Sequence, residues 1–249
     1  MSKLPQLTLA FWIMKICATT LGETAGDLLS MTLNVGYALS SVILVGIFLI
    51  TLVIQLVSKR LHPALYWTVI LSTSTAGTTL SDYMDRSLHL GYARGSLLLV
   101  SLLAISLACW RWSEGSLSLQ NIRSRKAELF YWITILFSNT LGTAFGDFLS
   151  DSSGLGYAGG AALIGSLIAL VAGAHYLTRI SGVLLFWVAF VLTRPLGATA
   201  GDLLTKPLSK GGLDLGTAGS SLVLFTVLAA LVAYASWRSA RADAATPAT

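Results

Sequence analysis

Apolar segments alternate with short polar turns along the whole chain. Long, mostly apolar runs such as 37–57, 97–110 and 220–235 recur. A helix needs about 20 mostly apolar residues to cross the hydrocarbon core of a bilayer. The pattern predicts an all-α integral membrane protein with about eight transmembrane helices, at 8–28, 37–57, 65–83, 92–112, 129–149, 157–177, 182–203 and 217–237.

One motif occurs four times in the first half of each predicted helix pair. An aromatic residue and a tryptophan are followed by a glycine ten residues after the tryptophan, and by an aspartate five residues further on. The tryptophan, glycine and aspartate are Trp12, Gly22 and Asp27; Trp67, Gly77 and Asp82; Trp132, Gly142 and Asp147; and Trp187, Gly197 and Asp202. Such a register, kept four times, indicates four tandem repeats.

A second block starts the other helix of each pair. It reads Gly-Tyr-Ala at Gly36, Gly91 and Gly156, and Gly-Thr-Ala at Gly216. Two spans in each copy return the chain to the same side, so we expect four copies related by an axis along the membrane normal. The first half (1–126, repeats 1 and 2) and the second half (127–249, repeats 3 and 4) then form a single membrane domain.

Composition supports this class of protein. The chain has 249 residues, of which 55% are hydrophobic and 11% charged, with a mean hydropathy of +0.75. Soluble domains carry about 25% charged residues. The net charge of +5 does not indicate nucleic-acid binding, because the basic residues are distributed as topology markers.

The basic residues predict an orientation. If the N-terminus is cytoplasmic, ten of them lie at cytoplasmic helix ends: Lys3, Lys59, Arg60, Arg111, Arg123, Arg125, Lys126, Arg179, Arg238 and Arg241. Four lie on the other side: Arg86, Arg94, Lys206 and Lys210. Since basic residues prefer cytoplasmic loops, we expect both termini in the cytoplasm.

Acidic and hydroxyl side chains form a stripe on the first helix of each copy. Residues seven apart share a helix face. The stripe holds Thr20, Thr24 and Asp27 beside Glu23; Thr75, Thr78 and Asp82; Thr140, Thr143 and Asp147; and Thr199 and Asp202. Each aspartate lies roughly 22 Å beyond its tryptophan, in the outer third of the membrane. We expect the four aspartates either to surround a polar cavity or to cap the following turn.

The glycines and tryptophans have structural interpretations. Gly22/Gly26, Gly142/Gly146 and Gly197/Gly201 are pairs of small residues four apart, which allow close helix packing in lipid. The tryptophans are interpreted as anchors at the membrane interface.

Carboxylate and hydroxyl oxygens suit Mg²⁺, Ca²⁺ or Mn²⁺, or a proton relay. The outer side holds eight of the eleven acidic residues: Glu23, Asp27, Asp82, Asp85, Asp147, Asp151, Asp202 and Asp214. No phosphate-binding loop, GxSxG, HExxH or CxxC motif occurs, so we expect neither an enzyme nor a cofactor other than a bound divalent cation.

The copies differ at charged positions. Only copy one has Lys15 and Glu23, and only copy four has Arg194 followed by Pro195. Lys15 and Arg194 lie within predicted spans and need partners in lipid. We expect nearby carboxylates to form ion pairs with Lys15 and Arg194; alternatively, these two basic residues bind an anionic substrate.

The four-copy motif resembles that of bacterial uncharacterised membrane-anchored proteins built from a tandem repeat of unknown function. The resemblance covers nearly the whole chain and includes the four tryptophans. The resemblance implies four two-span repeats and a location in the bacterial inner membrane, and it points to no particular activity.

Three functions are compatible with these residues. The first is transport or channelling of a cation, most simply a divalent metal ion, with the four aspartates as ligands. The second is proton-coupled transport of a small organic or anionic solute, suggested by Lys15 and Arg194. The third is a membrane scaffold, for which the connection at 113–126 offers the best contact surface. Apart from the lipid bilayer, the expected partners are therefore small cations or solutes.

Overall fold

The computed structural model describes residues 5, 7–58, 61–119, 122 and 124–245, without the side chains of 239, 240 and 242–245. Lys3, Lys59, Arg60 and Arg123 lie outside these residues. The described helices are α1 (Leu9–Asp27), α2 (Tyr37–Val57), α3 (Pro63–Asp82), α4 (Tyr92–Glu114), α5 (Arg125–Asp147), α6 (Gly156–Leu177), α7 (Gly182–Thr205) and α8 (Thr217–Ala245). The described part of the chain contains no strand, as the sequence predicts.

The odd-numbered helices form the centre of the fold. Helix α1 packs on α3, α3 on α5, α5 on α7, and α7 again on α1, which closes a ring of four helices. Each even-numbered helix packs outside the ring against the first helix of the next repeat: α2 on α3, α4 on α5, α6 on α7, and α8 on α1. The repeats therefore interlock.

Glycines bring the ring helices together, as expected from their spacing. A methyl group added at Gly22 would overlap the side chain of Ser74 on α3, and one added at Gly77 would lie 3.0 Å from the backbone of Asn139 on α5. Gly142 meets Arg194 on α7 in the same way. Each ring helix thus presents a glycine to the next, and backbones approach without an intervening side chain.

The turns between the helices of a repeat also recur. After α1, α3 and α5 the chain makes one π-helical turn, at Leu28–Thr32, Tyr83–Ser87 and Phe148–Ser152. The glycine that opens the second block has a positive φ in every copy, 81°, 75°, 66° and 73° at Gly36, Gly91, Gly156 and Gly216. Only glycine adopts this conformation without strain, which explains the recurrence of this residue.

Five of the described helices, α2, α4, α6, α7 and α8, are long and apolar enough to cross a membrane. The outer helices expose large apolar side chains, such as Val42, Leu97 and Leu222, at about two thirds of their surface. A water-soluble protein rarely exposes so much apolar surface. The fold is therefore that of a membrane protein with its polar residues at the centre.

Aromatic side chains close one end of the ring, which we call the base. Phe11, Tyr66, Tyr131 and Phe186 are buried there, and the hydroxyl groups of the two tyrosines lie 2.8 Å apart. The interpretation of the tryptophans as interfacial anchors is wrong for Trp67, Trp132 and Trp187. These three side chains are buried because they pack against the aromatic rings of neighbouring ring helices.

The glycine contacts predict an effect on stability. We expect Gly197→Ala to lower the free energy of unfolding in detergent by about 1–3 kcal/mol, the usual cost of overpacking, because its methyl group would lie 2.7 Å from the carbonyl carbon of Thr19. The matched control is Gly165→Ala on α6, where nothing lies within 4 Å of the added methyl group. Equal stability of the two variants would contradict a ring held by glycine contacts.

Candidate functional site

The ring helices present equivalent side chains at successive levels, four residues apart and all buried. From the base these levels are Phe11, Tyr66, Tyr131 and Phe186; Lys15, Ile70, Ile135 and Phe190; Thr19, Ser74, Asn139 and Arg194; Glu23, Thr78, Thr143 and Ala198; and Asp27, Asp82, Asp147 and Asp202. The level of the aspartates lies at the other end of the ring, which we call the mouth.

Arg194 and Glu23 form the centre of the buried polar network. The guanidinium Nη2 lies 2.9 Å from Glu23 Oε2 and 2.6 Å from Thr143 Oγ1, and it also contacts Thr78 Oγ1. Both threonine hydroxyls in turn lie within 3.3 Å of the same carboxylate oxygen. The fourth residue at this level is Ala198, which is buried and lies against Gly146 on α5.

The four aspartates are joined in two pairs by basic side chains. Lys206 Nζ lies 2.7 Å from Asp27 Oδ2 and 3.0 Å from Asp202 Oδ1. Burial lowers the pKa of Lys206, but these two carboxylates outweigh it and raise that pKa above its ordinary value.

Arg86 makes the equivalent bridge on the opposite side of the ring. Its Nε lies 2.8 Å from Asp82 Oδ1, and its Nη2 lies 3.1 Å from Asp147 Oδ2. The side chains of Arg86 and Lys206 are 28% and 18% exposed, whereas the aspartates are 2–3% exposed. The two basic groups therefore separate the carboxylates from the surface.

No such bridge joins Asp147 to Asp202 among the described residues, and Glu23 reaches toward this gap. One carboxylate oxygen from each of Glu23, Asp147 and Asp202 lies within 4.8 Å of the other two. In total, five carboxylates face the three basic groups Arg86, Arg194 and Lys206. The cluster therefore has a formal charge of −2 when every group is ionised.

Tyrosines from the second block surround the mouth. Arg86 lies 5.9 Å from the ring centre of Tyr37 and 5.8 Å from that of Tyr92. The hydroxyl groups of Tyr92 and Tyr157 donate to opposite oxygens of Asp151. Asp151 is an exposed carboxylate that these two tyrosines hold beside the mouth.

The predicted threonines divide into two groups. Thr78 and Thr143 meet Glu23 at the centre of the ring. The hydroxyl groups of Thr20, Thr75, Thr140 and Thr199 instead donate to carbonyl oxygens of their own helices. Thr24 bonds to Ser221 on α8, so it faces the outer layer.

Of the two predicted charge partners, Arg194 pairs with Glu23 and Lys15 does not pair with a carboxylate among the described residues. Lys15 Nζ is fully buried, has no hydrogen-bond partner there, and lies 4.1 Å from the centre of the Phe190 ring.

From the sequence, Arg86 and Lys206 were interpreted only as markers of membrane orientation, and the tyrosines of the second block were given no role. One available signal was the spacing of Asp82 to Arg86 and of Asp202 to Lys206. Residues four apart on a helix are neighbours, and an acidic residue before a basic one forms an ion pair at this distance. The bridges to Asp147 and Asp27 come from other helices and have no such local signal.

A separate cavity of about 400 Å³ opens between α4, α5 and α7, with Leu97, Leu141 and Pro195 in its wall. Its wall is almost entirely apolar, so it does not provide the oxygen ligands that a hard cation needs.

The comparisons with known proteins agree with the repeat. The model of a protein family described as Repeat of Unknown Function (DUF347) matches residues 10–61, 65–116, 130–181 and 185–241. Neither a curated protein nor a solved structure matches this chain significantly.

The buried ion pair between Arg194 and Glu23 predicts that removal of one partner destabilises the protein strongly. We expect Arg194→Met to lower the free energy of unfolding by about 3–5 kcal/mol, because Glu23 would be left as an uncompensated buried charge. Adding Glu23→Leu should restore most of the loss, since an apolar pair replaces an ion pair with little net cost. Arg94→Met, at an exposed arginine, is the control. A double variant as unstable as the sum of the two single variants would contradict the pairing.

Proposed function

We propose that this chain, which belongs to the Repeat of Unknown Function (DUF347) family and carries its repeat four times, spans the membrane eight times and transports a divalent cation. The ion class is that of Mg²⁺, Mn²⁺ or Ca²⁺, which prefer oxygen ligands. The observation that carries this proposal is the convergence of carboxylate oxygens from Glu23, Asp147 and Asp202 within 4.8 Å of one another.

The less apolar helices α1, α3 and α5 are also membrane spans in this proposal. They contain 19, 20 and 23 residues, about 28–35 Å of helix at 1.5 Å per residue, which suffices for the hydrocarbon core. Most of their polar side chains are buried, either inside the ring or against the outer helices, and the outer helices supply the lipid-facing surface. The four repeats are then related by an axis along the membrane normal, with both termini in the cytoplasm, as the basic residues favour.

The proposed ion site lies to one side of the ring axis. Lys206 already neutralises the space between Asp27 and Asp202, and Arg86 that between Asp82 and Asp147. The gap between Asp147 and Asp202 contains no such positive group, and Glu23 adds a third carboxylate there. One divalent cation would balance the formal charge of −2, and Asp151 would attract it to the mouth.

The closed base favours a transporter over an open channel. Between the cluster and the base, the ring is filled by Ile70, Ile135 and Phe190 and then by the aromatic level. A cation therefore needs a change in helix packing to pass. An anionic solute is less well supported, because the guanidinium of Arg194 is already bonded to Glu23 and two threonines.

Removal of ligands tests the proposal. We expect the double variant Asp147→Asn, Asp202→Asn to lose Mn²⁺ uptake by proteoliposomes and to bind Mn²⁺ at least about a hundredfold more weakly, because each lost charge costs about tenfold or more at short range. Asp214→Asn, at an exposed acid outside the cluster, should behave as the wild type. Full Mn²⁺ flux in the double variant would refute the proposed site.

Removal of a competing cation should have the opposite effect. We expect Lys206→Gln to increase Mn²⁺ affinity by about tenfold or more, because its ammonium group lies 3.0 Å from the proposed ligand Asp202. Lys210→Gln, an exposed lysine four residues later, is the matched control. Isothermal titration calorimetry with Mn²⁺ measures the affinity of both folded variants. Equal or weaker binding by Lys206→Gln would contradict competition for this carboxylate.

A further inference from the structure

Lys15 interrupts an otherwise apolar level of the ring. The equivalent residues on the other ring helices are Ile70, Ile135 and Phe190, and all four side chains are fully buried. The amine has no hydrogen-bond partner among the described residues and lies over the ring of Phe190. An amine in this position serves no evident packing purpose, since an apolar side chain fills the level in the other three copies.

The surroundings of Lys15 do not neutralise a positive charge. On α7 the nearest charged group is Arg194, which repels an ammonium. On α3 and α5 the titratable groups toward the base are Tyr66 and Tyr131, whose hydroxyls bond to each other. Helix α8, which packs on α1, has no acidic residue between Thr217 and Trp237. Since an unpaired buried charge is costly, the neutral amine is the form that suits this closed arrangement.

Lys15 also lies between the two ends of the proposed pathway. The aromatic level at the base is one helical turn away, and the carboxylate of Glu23 is eight residues away on α1, about 12 Å along the helix. Water that enters from an open base would reach the amine before it reached the carboxylates.

We propose that Lys15 is the group that couples cation transport to proton movement in the opposite direction, an inference that rests on the proposed function. When the base opens and the cation leaves, the lone pair of Nζ takes a proton from water and a new N–H bond forms. When the next cation binds from the mouth, this bond breaks and the proton leaves through the carboxylates to water at the mouth. The ring therefore contains either the ammonium of Lys15 or the bound cation at any stage of the cycle, but not both.

Electrostatics gives the size of the coupling. An ammonium about 12 Å from Glu23 adds to the charge of Arg194 and weakens binding of a divalent cation by about tenfold or more. By reciprocity, the bound cation disfavours the ammonium by the same factor. Cation affinity should therefore rise with pH in the wild type as Lys15 loses its proton.

The test uses proteoliposomes that contain a pH-sensitive dye and receive an external Mn²⁺ gradient. We expect the wild type to move protons against Mn²⁺. Lys15→Met should still bind Mn²⁺, but for each Mn²⁺ it should move less than about a tenth of the protons that the wild type moves. The rise of Mn²⁺ affinity with pH that Lys15 causes in the wild type should be absent from this variant. Lys210→Met, the same change at an exposed lysine, should match the wild type. Wild-type proton movement in Lys15→Met would overturn the proposal.

Two further measurements separate coupling from structural support. Lys15→Arg, which remains charged, should bind Mn²⁺ about tenfold more weakly and lose transport. Lys15→Met should unfold at the same or a higher temperature than the wild type, because methionine fits the apolar level. A lower unfolding temperature would indicate a structural role and overturn the proposal. A wild type that neither binds nor moves Mn²⁺ refutes the proposed function itself, whereas Mn²⁺ transport without proton movement refutes only the role of Lys15.

Discussion

Close contact between glycine backbones and the next ring helix is the interaction on which the rest of this structure depends. Gly22, Gly77, Gly142 and Gly197 each remove a side chain where two ring helices meet. In lipid, apolar residues gain little by associating, so tight packing and polar contacts must hold helices together. The same close approach brings Glu23 and the aspartates, which belong to different helices, within a few ångströms of one another.

The interlocked arrangement explains why the repeats occur together. Each outer helix covers the ring helix of the following repeat, and α8 covers α1. A single repeat would leave its polar stripe in contact with lipid, where unpaired polar groups are costly. Closure after four copies buries the aspartate of every stripe at the mouth of the ring.

The arrangement of charges in the ring comes from the differences between copies. Arg194, which only copy four carries, pairs with Glu23, which only copy one carries. At the position four residues after each aspartate, copies two and four carry the basic residues Arg86 and Lys206, whereas copies one and three carry Met31 and Asp151. The basic residues therefore bridge two of the four neighbouring pairs of aspartates. Of the two unbridged gaps, the one between Asp147 and Asp202 has Glu23 as a third carboxylate.

The sequence by itself determined the helices, the four repeats, the glycine faces and the position of one acidic residue in each repeat, but it left open whether these residues converge. All of these depend on spacing along one helix or on repetition, and both are visible in a linear pattern. The partners of Lys206 and Arg86 on neighbouring helices, the separation of Thr78 and Thr143 from the other threonines, and the burial of the tryptophans were decided only by the tertiary structure. A helical stripe shows which residues share a face, but the neighbour that each part of the face meets depends on how the ring closes. That closure places α7 beside α1, more than 150 residues apart in the chain.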